Sequence, residues 1–178
     1  MQNNFENLES KPATQFFSYA IPAILGMLLT SGIVIIDGLF IGNIIGKEGL
    51  ASVNLTLPVF YLFLGTTIMI GVGGAVKAGH ALGAENYTQA SRHFTSTIVL
   101  AVIVISVLTL LCFLFIDPLL GKINTSQVLS RFVKSYLGTI LWFYPVIMIN
   151  IVFSIFIRAQ GKPGLALIFD LVGNGLNI

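Results

Sequence analysis

The chain has 178 residues, of which 56% are hydrophobic and only 9% are charged, against about 25% charged in soluble domains. Its formal net charge of +2 is too small to point to a nucleic-acid partner. One cysteine, Cys112, excludes an intrachain disulfide and reads as a packing residue.

The charges are also unevenly spaced. Residues 12–36, 49–76, 93–116 and 135–157 carry none, and about 20 apolar residues span a bilayer as a helix. A transmembrane barrel would instead show segments of about 10 residues with alternating polarity, and none occurs. The pattern is that of an all-α integral membrane protein, a polytopic helix bundle with five transmembrane helices, the fifth truncated.

In chain order, residues 1–13 read as a polar arm on the cytoplasmic side. The arm carries Glu6 and Glu9 and lacks the basic start of a signal peptide. Helices are predicted at about 14–43, 50–79, 89–116, 128–157 and 163–178, so that residues 14–178 form one partial bundle. The first connection is GNIIGKEG (42–49). The second is the long polar stretch 77–93, in which Asn86 or Thr88 can cap the third helix. In the third, Asp117-Pro118 is predicted to stop a helix and Thr125 or Ser126 to cap the next. In the fourth, Gly161 and Pro163 act as stop and restart. The last segment offers about 24 Å of helix against a hydrocarbon core of about 30 Å, which suggests a fragment of a longer protein. Lys and Arg are more frequent in the second and fourth connections, so the N-terminus is expected to be cytoplasmic and the protein a multi-pass resident of the plasma membrane.

Asp37 is the only charge between Lys11 and Lys47. A carboxylate at the bilayer centre costs roughly 2.5–3.5 kcal/mol on insertion scales, and such groups face a bundle interior or a watery path. At helical spacing Thr30 and Gly26 fall on its side, whereas Leu28, Ile35 and Leu39 point the other way. Two readings follow. Asp37 binds a proton or cation inside the bundle, or it lies near enough to the outer headgroups to be hydrated or paired with a basic residue.

The fifth segment supplies a second polar stripe. Asp170, Asn174 and Asn177 are spaced i, i+4, i+7 and share a face. A carboxylate with two amide oxygens resembles a hard-cation donor set, although three oxygens do not close a site. The alternative is hydrogen bonding between helices, with Asp170 in a flooded cytoplasmic mouth. Thr30, Asn174 and Asp170 are therefore secondary or cavity-lining candidates.

Pro58, in the Gly-rich second helix, and Pro145, near Asn150 in the fourth, are candidate bending points, because proline frees a backbone carbonyl that neighbours or water must satisfy. The string GVGGAV follows no soluble strand and has no basic residue in phosphate-loop register. His80 and His93 lie in an aqueous connection and have no ligand cluster around them. Tyr136, Trp142 and Tyr144 read as interface anchors, packing residues or cavity lining. Neither Asp37 nor Asp170 has a second acid, a metal cluster or a nucleophile nearby in sequence, so no enzyme activity and no cofactor is expected.

Several strings resemble the multidrug and toxic compound extrusion (MATE) transporters. IPAILGMLLTSGIVIIDGLFIGNIIGKEGLASVNLTLPV resembles the first two helices of that family, and GVGGAVKAGHALGAENYTQASRHF its Gly-rich second helix and following loop. FYPVIMINIVFSIFIRAQGKPGLAL resembles its fourth helix and turn, and NGLNI the start of its fifth-helix motif. The resemblance covers nearly the whole chain. It implies the six-helix N-lobe of a twelve-helix transporter whose C-terminal lobe is missing here. It also implies efflux of small organic, often cationic, compounds by antiport with Na⁺ or H⁺. Asp37 then matches the coupling acid of helix one and Asn177 the cation-site asparagine of helix five, so that Na⁺ would sit at Asp37/Asn177 with no other metal. The acid four residues after Asn177 would fall at 181, beyond this sequence. A flippase of lipid-linked precursors from the same superfamily is an alternative, as is a small structural or interaction protein.

Overall fold

In the computed structural model, residues 12–122 and 126–175 are described, and they are helical apart from short turns. The elements are α1 (Pro12–Ile44), α2 (Lys47–Gly83), α3 (Tyr87–Lys122), α4 (Gln127–Ala159) and α5 (Pro163–Gly175). The first four are long and apolar enough to cross a membrane. The 13 described residues of α5 reach about 20 Å, short of a span.

Local chemistry sets the ends of these helices. Asn86 caps α3: its Oδ1 accepts from the Gln89 N–H at 3.0 Å, and Gln89 Oε1 accepts from Asn86 Nδ2 at 3.2 Å, a reciprocal cap. Ser126 caps α4 by accepting from the Leu129 N–H at 3.2 Å. At the α4 C-terminus Gly161 adopts φ +76°, the left-handed conformation that glycine takes without steric cost. The α2 C-terminus uses Glu85 at φ 57° for the same purpose.

Two connections differ from the sequence expectation. The first turn is Ile45–Gly46 rather than 42–49, because Gly46 at φ 88° reverses the chain at once. Glu48 then sits in the first turn of α2, where the helix dipole favours an acid. Asp117-Pro118 does not stop the third helix, which continues to Lys122. Proline removes the hydrogen bond to the Leu114 carbonyl and crowds that turn, which bends a helix without having to end it. Asp117 is held from α4 by Lys134 at 2.6 Å.

The core lies among α2, α3 and α4, with the largest interface between α2 and α4. Phe63, Ile105, Leu141, Met148 and Val152 are fully buried there, with the Tyr144 ring tilted against Phe63 at 4.7 Å. Gly74 permits the closest approach, since an added Cβ would stand 2.0 Å from Thr97 Oγ1 on α3. Gly71 meets Ile155 of α4, whereas Gly65, Gly73, Gly79 and Gly83 face open space. Only part of the glycine-rich run therefore serves close packing. α5 lies against α4 and α1, and α1 touches α2 only lightly. The outward side of α1 carries Leu28, Ile35 and Leu39, all more than 60% exposed, as expected of a lipid-facing stripe. Pro58 and Pro145 lie inside unbroken helices, as do Pro22 and Pro118.

Candidate cation site

α1 and α5 start at the same end of the bundle, which can be called the N-terminal end. There the Tyr19 hydroxyl lies 3.3 Å from the position of a Cβ on Gly161. Asp37 is seven residues before the end of α1 and Tyr136 nine residues after the start of α4. At 1.5 Å per residue they stand about 10 and 14 Å from the opposite end, at similar depth.

Asp37 is exposed on the described chain and Tyr136 is half-buried. The Asp37 carboxylate lies within Coulombic reach of the Tyr136 phenol, which is in turn within reach of Tyr144. Gly38, beside Asp37, meets no neighbouring side chain, while Gly26, on the same stripe, would place a Cβ 3.3 Å from Leu167 of α5. The stripe has one end packed on α5 and the other end open.

Asp170 belongs elsewhere. Its carboxylate accepts a hydrogen bond from Arg158 Nη2, joining α4 to α5, with side chains 46% exposed for Arg158 and 20% for Asp170. It is seven residues into α5, about 10 Å from the N-terminal end. Asp37 is 18 residues beyond Tyr19, about 27 Å along α1. The two acids therefore do not share a site. Thr30 and Asn174 lie in α1 and α5, but their side chains are outside the described residues, as is Asn177.

Sequence reasoning passed over Tyr136 and Arg158 as functional partners. On α4, Tyr136, Ser154 and Arg158 are spaced i, i+18, i+22 and share one face, but that spacing does not report what the other helices bring to it. Ser154 is 4% exposed and its hydroxyl has no hydrogen-bond partner among the described residues.

The comparisons agree with this architecture. A multidrug export protein, MepA, of Staphylococcus haemolyticus is 29% identical over 174 residues, spanning 96% of this chain and 38% of its own. MepA of Staphylococcus aureus is 27% identical over 161 residues, 90% of this chain and 36% of its own. The chain thus spans less than two-fifths of these relatives. Two solved structures share the fold, each with a TM-score of 0.88 at 23% identity and covering 99% of this chain and 39% of theirs. One is a MOP superfamily transporter from Pyrococcus furiosus described as having a binding pocket of reversed polarity. The other is an outward-facing multidrug resistance MATE family transporter. The MatE family model matches residues 22–178, so the chain belongs to the MatE family of integral membrane proteins.

Proposed function

We propose that this chain supplies the cation-coupling half of a transporter that exports organic, cationic compounds in exchange for Na⁺ or H⁺. The observation that carries this reading is the placement of Asp37. It is the sole charge of α1, lies seven residues from the end of a membrane-length helix, is exposed, and interacts electrostatically with the Tyr136 phenol. A carboxylate so placed recruits a cation or proton because nothing else on its helix offsets its charge.

Loading the acid neutralises it and removes its electrostatic interaction with the face of α4. α1 is the helix best able to respond, because its contact with α2 is small and its packing rests on α5. Pro22 lacks the N–H that would bond the Ser18 carbonyl, which gives α1 a bending point near its start. Movement of α1 couples ion occupancy to alternating access of a cavity that the second lobe completes. Asn177 is a second oxygen donor in this scheme through its place in the family motif, and Thr30 and Asn174 are cavity-side candidates. The protein sits in the plasma membrane with its N-terminus inside.

No Lys or Arg lies within the charge-free runs. A cationic or neutral compound therefore fits this half better than the pyrophosphate of a lipid-linked precursor, which calls for basic groups. The test is efflux of a cationic dye by cells carrying the complete gene product with Asp37→Asn. Ion-coupled efflux should be lost while the protein remains in the membrane. Wild-type efflux with its ion dependence intact would sink the reading.

A further inference from the structure

The α4–α5 hairpin carries a line of polar groups that its packing leaves unsatisfied. Asn150, Ser154 and Arg158 are spaced i, i+4, i+8 on α4 and share one face. That face looks at α5, because Arg158 donates to the Asp170 carboxylate there. Ser154 is 4% exposed, and its hydroxyl has no hydrogen-bond partner among the described residues. Asn150 is half-buried, and its side-chain amide forms no hydrogen bond among them either. A buried donor without a partner costs about 1–3 kcal/mol, and in native proteins bound water commonly meets that need.

These groups are staggered in depth. Counted from the N-terminal end at 1.5 Å per residue, Ser154 lies about 8 Å in, Asp170 about 10 Å and Asn150 about 14 Å. Asp37 lies about 27 Å along α1 from Tyr19, on the stripe whose Gly26 meets Leu167 of α5. Polar groups therefore follow the seam inward towards Asp37. Arg158 stands at its mouth, one residue before the end of α4. A basic residue so placed ordinarily extends outward to the headgroups, but this one turns inward to Asp170. Ala166, one turn before Asp170, is fully buried, and its small side chain leaves room for that reach. We propose that the α4–α5 seam is a water-lined exit by which the coupling ion leaves Asp37 for the N-terminal side, and that the Arg158–Asp170 pair is its gate. With the pair joined, the carboxylate is occupied and a guanidinium at the mouth opposes a passing cation. With the pair parted, Asp170 offers a free carboxylate part-way along, and Ser154 and Asn150 supply oxygens to the ion or its water. The exit rests on the reading of Asp37 as the coupling acid.

The complete gene product is reconstituted in liposomes, and Na⁺ and H⁺ movements are followed separately with fluorescent indicators, with and without a cationic dye as export substrate. Arg158→Gln should raise the dye-independent leak of the coupling ion about tenfold, the effect of lowering a barrier by one charge-assisted hydrogen bond. Asp170→Asn added to Arg158→Gln should bring that leak down again, because the carboxylate that receives the ion is gone. Ser154→Ala should slow dye exchange about threefold to tenfold, whereas Ser154→Thr, which keeps the hydroxyl, should stay near wild type. Binding of the coupling ion to the detergent-solubilised protein should be unchanged in all of these and lost in Asp37→Asn. A wild-type leak in Arg158→Gln, wild-type exchange in Ser154→Ala, or equal slowing in Ser154→Ala and Ser154→Thr overturns the exit while leaving Asp37 as the coupling acid. Ion binding retained in Asp37→Asn overturns the coupling role, and the exit with it.

Discussion

Arg158, at the end of α4, donates to the carboxylate of Asp170, two turns into α5. The pair fastens the hairpin at the N-terminal end and withdraws Asp170 from the polar stripe that the sequence suggested. Asp170 is mostly buried and Arg158 roughly half exposed, which puts the pair between the surface and interior cases. Asp170→Asn should therefore cost about 1–2 kcal/mol of stability. A double-mutant cycle with Arg158→Gln, read by thermal unfolding in detergent, checks it. Additive single effects would mean that the two side chains do not cooperate.

The approach of α2 to α3 depends on one missing side chain. Gly74→Ala would drive a Cβ into Thr97, at 2.0 Å from its hydroxyl oxygen and 2.7 Å from its Cβ. Overpacking of this kind costs about 1–3 kcal/mol. Thr97→Gly in the same chain should recover most of the loss. One residue earlier, Gly73 faces open space, and Gly73→Ala should stabilise the helix by about 0.5–1 kcal/mol. Melting temperatures of the three variants should separate the two positions cleanly.

Glu85 ends α2 in a left-handed conformation, φ 57°, the one non-glycine residue at positive φ among those described. Chirality makes that conformation cost roughly 1–2 kcal/mol for an L-residue with a Cβ. Glu85→Gly should raise stability by about 1 kcal/mol, whereas Gly161→Ala, at φ +76°, should lower it by a similar amount. Paired unfolding curves give both signs. A loss of stability in Glu85→Gly would mean that the side chain contributes more than its backbone costs.

Tyr136→Phe removes the phenol with which the Asp37 carboxylate interacts electrostatically. Removing it leaves the ring and its packing in place. The ion concentration giving half-maximal efflux should move about threefold to tenfold, equivalent to about 0.7–1.4 kcal/mol, with little change in melting temperature. An unchanged ion dependence would assign Tyr136 to packing alone. The chemically similar Tyr144 is fully buried against Phe63, and Tyr144→Phe should alter stability rather than ion dependence.

The sequence made the membrane helices legible because charge is costly in hydrocarbon, and four charge-free runs mark where it is excluded. Asn86, Ser126 and Gly161 were legible as caps and stops because those signals are local. Pro118 misled because an interior proline can bend a helix without ending it. Tyr136 was hidden for a different reason. Its importance comes from a helix about 100 residues away in sequence, and no spacing rule within α4 reports what α1 brings to it. The glycines at 65–83 of α2 look alike in sequence, yet among them only Gly71 and Gly74 meet a neighbouring helix.

The two-residue turn at Ile45–Gly46 bears on how the protein is made. It ties α1 and α2 into a helical hairpin with almost no free chain between them, a unit suited to entering the bilayer together. With the N-terminus inside, as proposed above, only the turn and the charges of Lys47 and Glu48 need be carried across. α1 carries the lone carboxylate and contacts α2 only lightly, so during synthesis it is committed to the membrane together with its more apolar-packed successor. A flexible insertion at Gly46 would uncouple the two, and its first visible consequence would be a mixture of topologies rather than a loss of transport.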